Sequence, residues 1–136
     1  MDFYSVRLLA NDFRKTWHFY RDRLGLVPVK GHGEPPYGEF AWNGRAFLAV
    51  FERQRMASAV GLSPRRSRGA RLGDVAVIFE VPNVDRFAAK LVRQGVRLHR
   101  GPTDRPEWGL RTIHFLDPDG HLVEVYSRLR PRSRRA

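Results

Sequence analysis

Hydrophobic and polar residues alternate with a period of two along several short stretches of the chain, and the clearest of these ends at Val125. Apolar side chains occupy every second position there, on both sides of an Asp-Pro-Asp-Gly sequence at 117–120. Such alternation indicates β-strands with one face in the core, and Asp, Pro and Gly together favour a tight turn. We therefore predict a β-hairpin whose buried stripe consists of Ile113, Phe115, Val123 and Val125.

Polar side chains share the opposite face of this predicted hairpin. Thr112 and His114 lie on its first strand, and Glu124 lies on its second. A carboxylate on a face apolar enough to be buried needs either a partner or a function. The group that Glu124 faces is therefore the main clue to what this protein does.

A helical period follows the first alternating stretch of the chain. Tyr4–Ala10 alternates as a half-buried strand, and Asn11-Asp12 then favours the start of a helix. The apolar face of that helix, at a spacing of three to four residues, is formed by Phe13, Trp17, Tyr20 and Leu24. We predict that the helix ends at Gly25, that Pro28 marks an edge strand or the start of a strand, and that a hairpin turns at Asn43-Gly44.

The same order of elements occurs a second time. A strand over Val75–Val81 precedes a helix start at Asn83, and Gly95 closes that helix. The predicted apolar face of the helix is Phe87, Ala88, Leu91 and Val92. We expect the next strand at Val96–Leu98 and a loop at Arg100–Glu107, followed by the hairpin described above.

Two copies of the order strand–helix–strand–strand–strand predict an α+β fold. We expect two βαβββ modules, each with one sheet face covered by its helix, that pair and enclose a ligand cavity. The predicted divisions are a first module over 1–56, an Arg-rich connector over 57–72, a second module over 73–128 and a basic tail over 129–136.

The formal net charge of +11 suggests a polyanion-binding protein until it is mapped onto the chain. Residues 53–72 and 128–136 together hold eleven arginines and no acidic residue, so they account for the whole excess. Solvated segments are the favoured interpretation of such runs, with non-specific polyanion binding as the alternative. The absence of cysteine excludes disulfides, thiolate catalysis and Cys-ligated zinc. We expect a cytoplasmic protein, because neither a membrane span nor a signal pattern is present.

Three groups of motifs, in order and spread over residues 4–127, carry a family resemblance. They are Asn11-Asp12 with the later Leu24-Gly25-Leu26, Phe79-Glu80-Val81 with Asn83-Val84-Asp85, and Trp108-Gly109-Leu110-Arg111 with Asp117-Pro118-Asp119-Gly120. In these motifs the chain resembles the vicinal oxygen chelate superfamily. That superfamily includes glyoxalase I, extradiol dioxygenases, fosfomycin-resistance enzymes and bleomycin-resistance proteins. The resemblance implies paired βαβββ modules around a ligand cavity, usually in a dimer.

Enzymes of that superfamily typically hold a divalent metal with one side chain from each of four strands. The resemblance places Ser5, Ala49, Ala76 and Glu124 at those four positions. Alanine cannot coordinate a metal and a serine hydroxyl is a poor ligand. The metal-dependent glyoxalase, extradiol cleavage and thiol-transfer reactions are therefore disfavoured, and we expect no cofactor. A divalent metal in a site rebuilt from His114 and Glu124 is the minority alternative.

The residues expected to bind a ligand share the predicted inward faces of the strands. They are Arg7, Trp42, Trp108, Thr112, His114 and Glu124. His114 and Glu124 are also the candidates for any catalysis, with His114 as a general acid or base. The competing interpretations are that Arg7 or His114 merely neutralises Glu124 and that the tryptophans belong to the core. Arg111 is expected to tie the hairpin to an acidic residue.

Three functions remain open on this basis. The first is binding of a small aromatic or polar molecule in a metal-free cavity, as in a bleomycin-resistance-type protein, by a homodimer. The second is a metal-dependent lyase or dioxygenase with a rebuilt site. The third is polyanion binding through the Arg-rich connector and tail, although nucleic acid is not the expected partner.

Overall fold

The computed structural model describes residues 1–64 and 72–130. These residues form two compact units. The first unit contains the described residues up to 64 together with Asp117–Gly120, and the second contains the remainder. No helix in the described part of the chain is long and apolar enough to cross a membrane.

The first unit is a four-stranded sheet with a helix between its first two strands. Its elements are β1 (Val6–Ala10), α1 (Phe13–His18), a π-helical turn (Phe19–Arg23), β2 (Val27–Lys30), β3 (Tyr37–Trp42), β4 (Arg45–Glu52) and α2 (Arg53–Val60). The strand order is β1-β4-β3-β2, with β1 and β4 parallel and the other pairs antiparallel. Pro28 therefore lies on an edge strand, the first of its two predicted positions, and edge strands are where proline is tolerated in sheets.

The second unit repeats this arrangement. Its elements are β5 (Ala76–Glu80), α3 (Val84–Arg93), β6 (Leu98–Arg105), a 3₁₀ turn (Pro106–Trp108), β7 (Leu110–Leu116) and β8 (Leu122–Arg128). The strand order is β5-β8-β7-β6, again with one parallel pair between the first and last strands. The predicted α+β fold of two βαβββ modules is confirmed.

The buried stripe of the second sheet is the one that the alternation predicts. Ile113, Phe115, Val123 and Val125 are all fully buried. The same sheet face packs against α3. Ser127 accepts a hydrogen bond from the amide of Val84, and the guanidinium of Arg111 donates two hydrogen bonds of 2.9 Å to the carboxylate of Asp85. Arg111 also reaches Asp104 at 2.8 Å, so its predicted structural role is confirmed. This pairing lowers the pKa of Asp85.

The core of the first unit is built around Trp17. Its indole is fully buried and stacks on Phe40 with ring centroids 5.6 Å apart. Gly38, two residues before Phe40 on β3, lets the indole lie directly against the strand backbone: a Cβ at this position would stand 2.7 Å from Trp17 Cδ1 and closer still to Nε1. Gly33 approaches the same ring, since its Cβ would lie 2.9 Å from Trp17 Cζ3. The indole is therefore confined at two separate points by residues without side chains.

The turn at Asp117–Gly120 packs within the first unit rather than with the strands that it connects. Asp119 accepts hydrogen bonds from the amides of Asn11 and Asp12 and, at 2.6 Å, from the hydroxyl of Thr16. Asp117, which is buried, accepts the hydroxyl proton of Tyr20 at 2.8 Å. The burial of Tyr20 and the adjacent carboxylate raise the pKa of that phenol. The turn that the sequence marks by its composition therefore also holds the start of α1.

Three predicted elements differ from the structure. The loop predicted at Arg100–Glu107 is wrong over most of its length, because β6 extends to Arg105. It is an edge strand with two register shifts, and such strands tolerate Gly101 and Pro102. The helix after Asp12 changes to π-helical geometry at Phe19. The helix α2 runs for eight residues from Arg53 to Val60, so the first part of the connector predicted at 57–72 is helical.

Candidate functional site

His114 and Glu124 form a hydrogen-bonded pair on the face of the second sheet opposite α3. The two residues are directly opposite each other on β7 and β8, and His114 Nε2 lies 2.8 Å from Glu124 Oε1. Their side chains are only 15% and 14% exposed, so both groups are held mostly out of water. An imidazole beside a carboxylate can bind a ligand's polar group or move a proton to or from it.

Apolar and polar side chains surround this pair in register on the same face. Ile78 on β5 lies opposite Glu124 and is more than half exposed. Tyr126, two residues beyond Glu124, forms a hydrogen bond with Glu80 that raises the pKa of the phenol. Arg128 also contacts Glu80, at 3.1 Å. The face thus offers exposed apolar surface next to a fixed carboxylate–imidazole pair.

Thr112 and Trp108, two other predicted ligand-binding residues, differ in their exposure to solvent. Thr112 is fully buried, and its hydroxyl lies 3.5 Å from Arg105 Nε. The guanidinium of Arg105 covers the Trp108 ring at 5.4 Å from the centroid. Trp108 is nonetheless 55% exposed and Trp42 is 69% exposed. The interpretation of both tryptophans as core residues is therefore wrong, and ligand stacking stays a prediction.

Arg7 lies on β1 in the first unit, directly opposite Ala49 on β4. Its guanidinium stands over the rings of Tyr37 and Phe51, at 5.2 and 5.8 Å from their centroids. These cation–π contacts place a positive charge beside two aromatic side chains. The role of Arg7 in binding a ligand carboxylate stays a prediction.

Glu39 is a buried carboxylate that the sequence reasoning missed. It lies on β3, also opposite Ala49, and is 5% exposed. Tyr37 donates a hydrogen bond to Glu39 Oε1 at 2.5 Å and Tyr4 donates one at 2.9 Å. The bond from Tyr37 is the main cause that lowers the pKa of Glu39, whereas burial raises the pKa of Tyr37 to about 12. The sequence does contain a signal for it, because Glu39 is an acidic residue in a predicted strand and lies between the aromatic residues Tyr37 and Phe40.

The residues at the four superfamily metal positions do not fit a divalent ion. Ala49 and Ala76 provide only methyl groups, and Arg7 adds a positive charge next to Ala49. In the second unit Glu124 is opposite Ile78 rather than Ala76, and its carboxylate is bonded to His114. A divalent ion needs several anionic or imidazole ligands together. No three such side chains converge anywhere in 1–64 or 72–130.

Most arginines that the polyanion alternative relies on lie outside the described residues. They are Arg65, Arg66, Arg68, Arg71, Arg132, Arg134 and Arg135.

Comparison with known proteins gives a family match over nearly the whole chain. Residues 3–125 match the model of the Glyoxalase/Bleomycin resistance protein/Dioxygenase superfamily. The uncharacterized protein YraH of Bacillus subtilis is 36% identical over 129 residues, which cover 95% of this chain and all of YraH.

Solved structures show the same fold. A glyoxalase/bleomycin resistance protein/dioxygenase from Nocardioides superposes with a TM-score of 0.78 at 22% identity, over 100% of this chain and 89% of that one. A protein of unknown function from Agrobacterium tumefaciens gives a TM-score of 0.74 at 28% identity, over 95% of each chain. Two similar modules, a relative along its full length and the family match agree: the chain belongs to the glyoxalase/bleomycin resistance protein/dioxygenase superfamily.

Proposed function

We propose that this protein binds a small organic molecule on the open face of its second sheet, without a resident metal ion and with His114 and Glu124 as the polar anchor. The single observation that carries the proposal is the hydrogen-bonded imidazole–carboxylate pair, at 2.8 Å and mostly buried. Burying such groups costs free energy unless they are paired. Among the residues that the structure describes, the two groups are joined through one nitrogen of the ring and one oxygen of the carboxylate, so the pair keeps hydrogen-bonding capacity for a ligand.

The chemistry of the face limits the ligand. Ile78 and Leu116 leave apolar surface exposed on either side of the pair, which suits a flat or aliphatic ligand body. The carboxylate of Glu124 would accept a hydrogen bond from a hydroxyl, amide or amine on that body. Any proton transfer would run through His114, whose ring is oriented by Glu124.

Replacing Glu124 with glutamine is expected to weaken ligand binding about tenfold or more, because a charge-assisted hydrogen bond is lost. The measurement is thermal-shift screening of the wild-type protein with hydroxylated and amine-bearing aromatic compounds, followed by titration of each hit against Glu124→Gln. The control variant is Glu107→Gln, which removes an exposed carboxylate from the 3₁₀ turn. Equal affinity of both variants would contradict the proposal. So would elemental analysis that finds a stoichiometric metal in the wild type and none in Glu124→Gln.

We also propose that the protein works as a homodimer, since proteins of this superfamily often form dimers and bind small ligands. Light scattering of the purified protein is expected to give twice the mass of one chain, and the mass of a single chain would contradict this.

A further inference from the structure

A groove on the first unit carries opposite charges at its floor and at its rim. It measures about 480 Å³, within the range of about 300 to 1,000 Å³ that holds small molecules. Glu39 is its buried anionic group, and Lys30 and Arg45 are its cations. Phe3, Tyr4 and Val29 supply apolar lining, and all three are more than half exposed. The groove belongs entirely to the first unit and shares no residue with the face around His114.

The carboxylate of Glu39 has hydrogen-bonding capacity left over. Each phenol has only one proton to donate, and the hydroxyl of Tyr4 is nearly equidistant from the two oxygens, at 2.9 and 3.0 Å. Tyr37 donates to Oε1. Two protons therefore satisfy a group with about four acceptor sites. The fixed phenols also keep Glu39 ionised, because they lower its pKa.

Lys30 and Arg45 supply positive charge in the groove, opposite in sign to Glu39. Within the described residues neither Lys30 nor Arg45 forms an ion pair with an acidic side chain, although Lys30 is close enough to Glu39 to lower its pKa. Lys30 is opposite Glu39 in the β2–β3 ladder, and Arg45 begins β4. A simple anion would meet repulsion from Glu39, and a simple cation would meet repulsion from Lys30 and Arg45.

We propose that this groove is a second ligand site and that it binds an α-amino acid with an apolar side chain. The ammonium group of the ligand bonds to Glu39, its carboxylate bonds to Arg45 and Lys30, and its side chain packs on Phe3, Tyr4 and Val29. A dipolar ligand is the class that satisfies both signs of charge within this one groove. The proposal does not depend on the function assigned to His114 and Glu124.

The test uses L-phenylalanine and two analogues that each lack one charge, 3-phenylpropionate and 2-phenylethylamine. Isothermal titration of the full chain is expected to give a Kd for L-phenylalanine of about 1 mM or tighter, and values at least about tenfold weaker for both analogues. If 3-phenylpropionate or 2-phenylethylamine binds as tightly as L-phenylalanine, or if L-phenylalanine gives no binding at 10 mM (roughly ten times the expected Kd), the proposal is overturned.

Three variants separate the charges. Glu39→Gln, which keeps the shape of the side chain, is expected to weaken L-phenylalanine binding about tenfold and to leave 3-phenylpropionate binding no weaker. Arg45→Met is expected to weaken both of these ligands about tenfold. Arg97→Met, an exposed arginine of the second unit, is the matched control and should change neither.

Two further measurements distinguish loss of this site from misfolding and from binding at the His114–Glu124 site. Should Glu39→Gln fail to fold, as judged by circular dichroism, the Arg45→Met and Arg97→Met titrations still decide the proposal in either direction. Glu124→Gln is expected to bind L-phenylalanine as the wild type does. A loss of L-phenylalanine binding in Glu124→Gln with none in Glu39→Gln would overturn the second site.

Discussion

Replacing Gly38 with alanine is expected to lower the free energy of unfolding by about 3 kcal/mol, the upper end of the usual cost of overpacking a core. The new methyl group would stand 2.7 Å from Trp17 Cδ1 and even closer to Nε1. The indole cannot move away freely, because it is fully buried, stacks on Phe40 and is confined near Gly33. Urea denaturation followed by far-ultraviolet circular dichroism measures the change.

The matched control is Gly101→Ala in β6. A Cβ at Gly101 would meet no atom within 4 Å, and its φ lies outside the left-handed region. We expect this variant to stay within about 0.5 kcal/mol of the wild type. If both alanine variants have the same stability, the close packing of Trp17 on the backbone of β3 is not what constrains this position.

Replacing Asp119 with alanine is expected to destabilise the protein by about 2 kcal/mol, the combined effect of losing a helix-start acceptor and leaving a buried hydroxyl unpaired. The amides of Asn11 and Asp12 can turn to water, but Thr16 is fully buried and its hydroxyl would lose its partner. Thermal and urea unfolding of the variant measure the loss.

A double-mutant cycle isolates the Thr16 contribution. Thr16→Val removes the hydroxyl without changing the shape of the side chain, so the double variant should cost less than the sum of the two single variants. Additive effects would show that the hydroxyl–carboxylate contact contributes nothing beyond the amide bonds. A cost below about 0.5 kcal/mol for Asp119→Ala alone would contradict the anchoring role of the turn.

Local patterns were sufficient to predict the architecture. The alternation at Ile113 and Val123 gave the correct buried face, because the side-chain period of a strand does not depend on distant contacts. The Asn43-Gly44 hairpin was also predicted correctly, since both residues adopt the positive φ that such a turn requires. The pairing of His114 with Glu124 followed from the same alternation once the turn between them was placed.

Contacts between distant segments could not be predicted in the same way. Tyr4 lies 35 residues from Glu39, and no periodicity links a residue before β1 with one in β3. Asp119 is 103 residues from Thr16. The composition of residues 117–120 therefore predicts a turn, but it does not predict which helix that turn contacts. The apolar spacing of the first helix is equally compatible with α-helical and π-helical geometry near Tyr20, because the hydrogen bonds of the two helices differ in span by only one residue.

The placement of residues 117–120 within the first unit has a consequence for synthesis on the ribosome. Translation proceeds from the N-terminus at about 5 to 20 residues per second, so α1 and its sheet emerge well before the acidic turn that completes them. Until most of the second module has been synthesised, the start of α1 in the nascent first module therefore lacks the hydrogen bonds to Asp119. A gene encoding the leading half alone would yield a polypeptide permanently short of those acceptors.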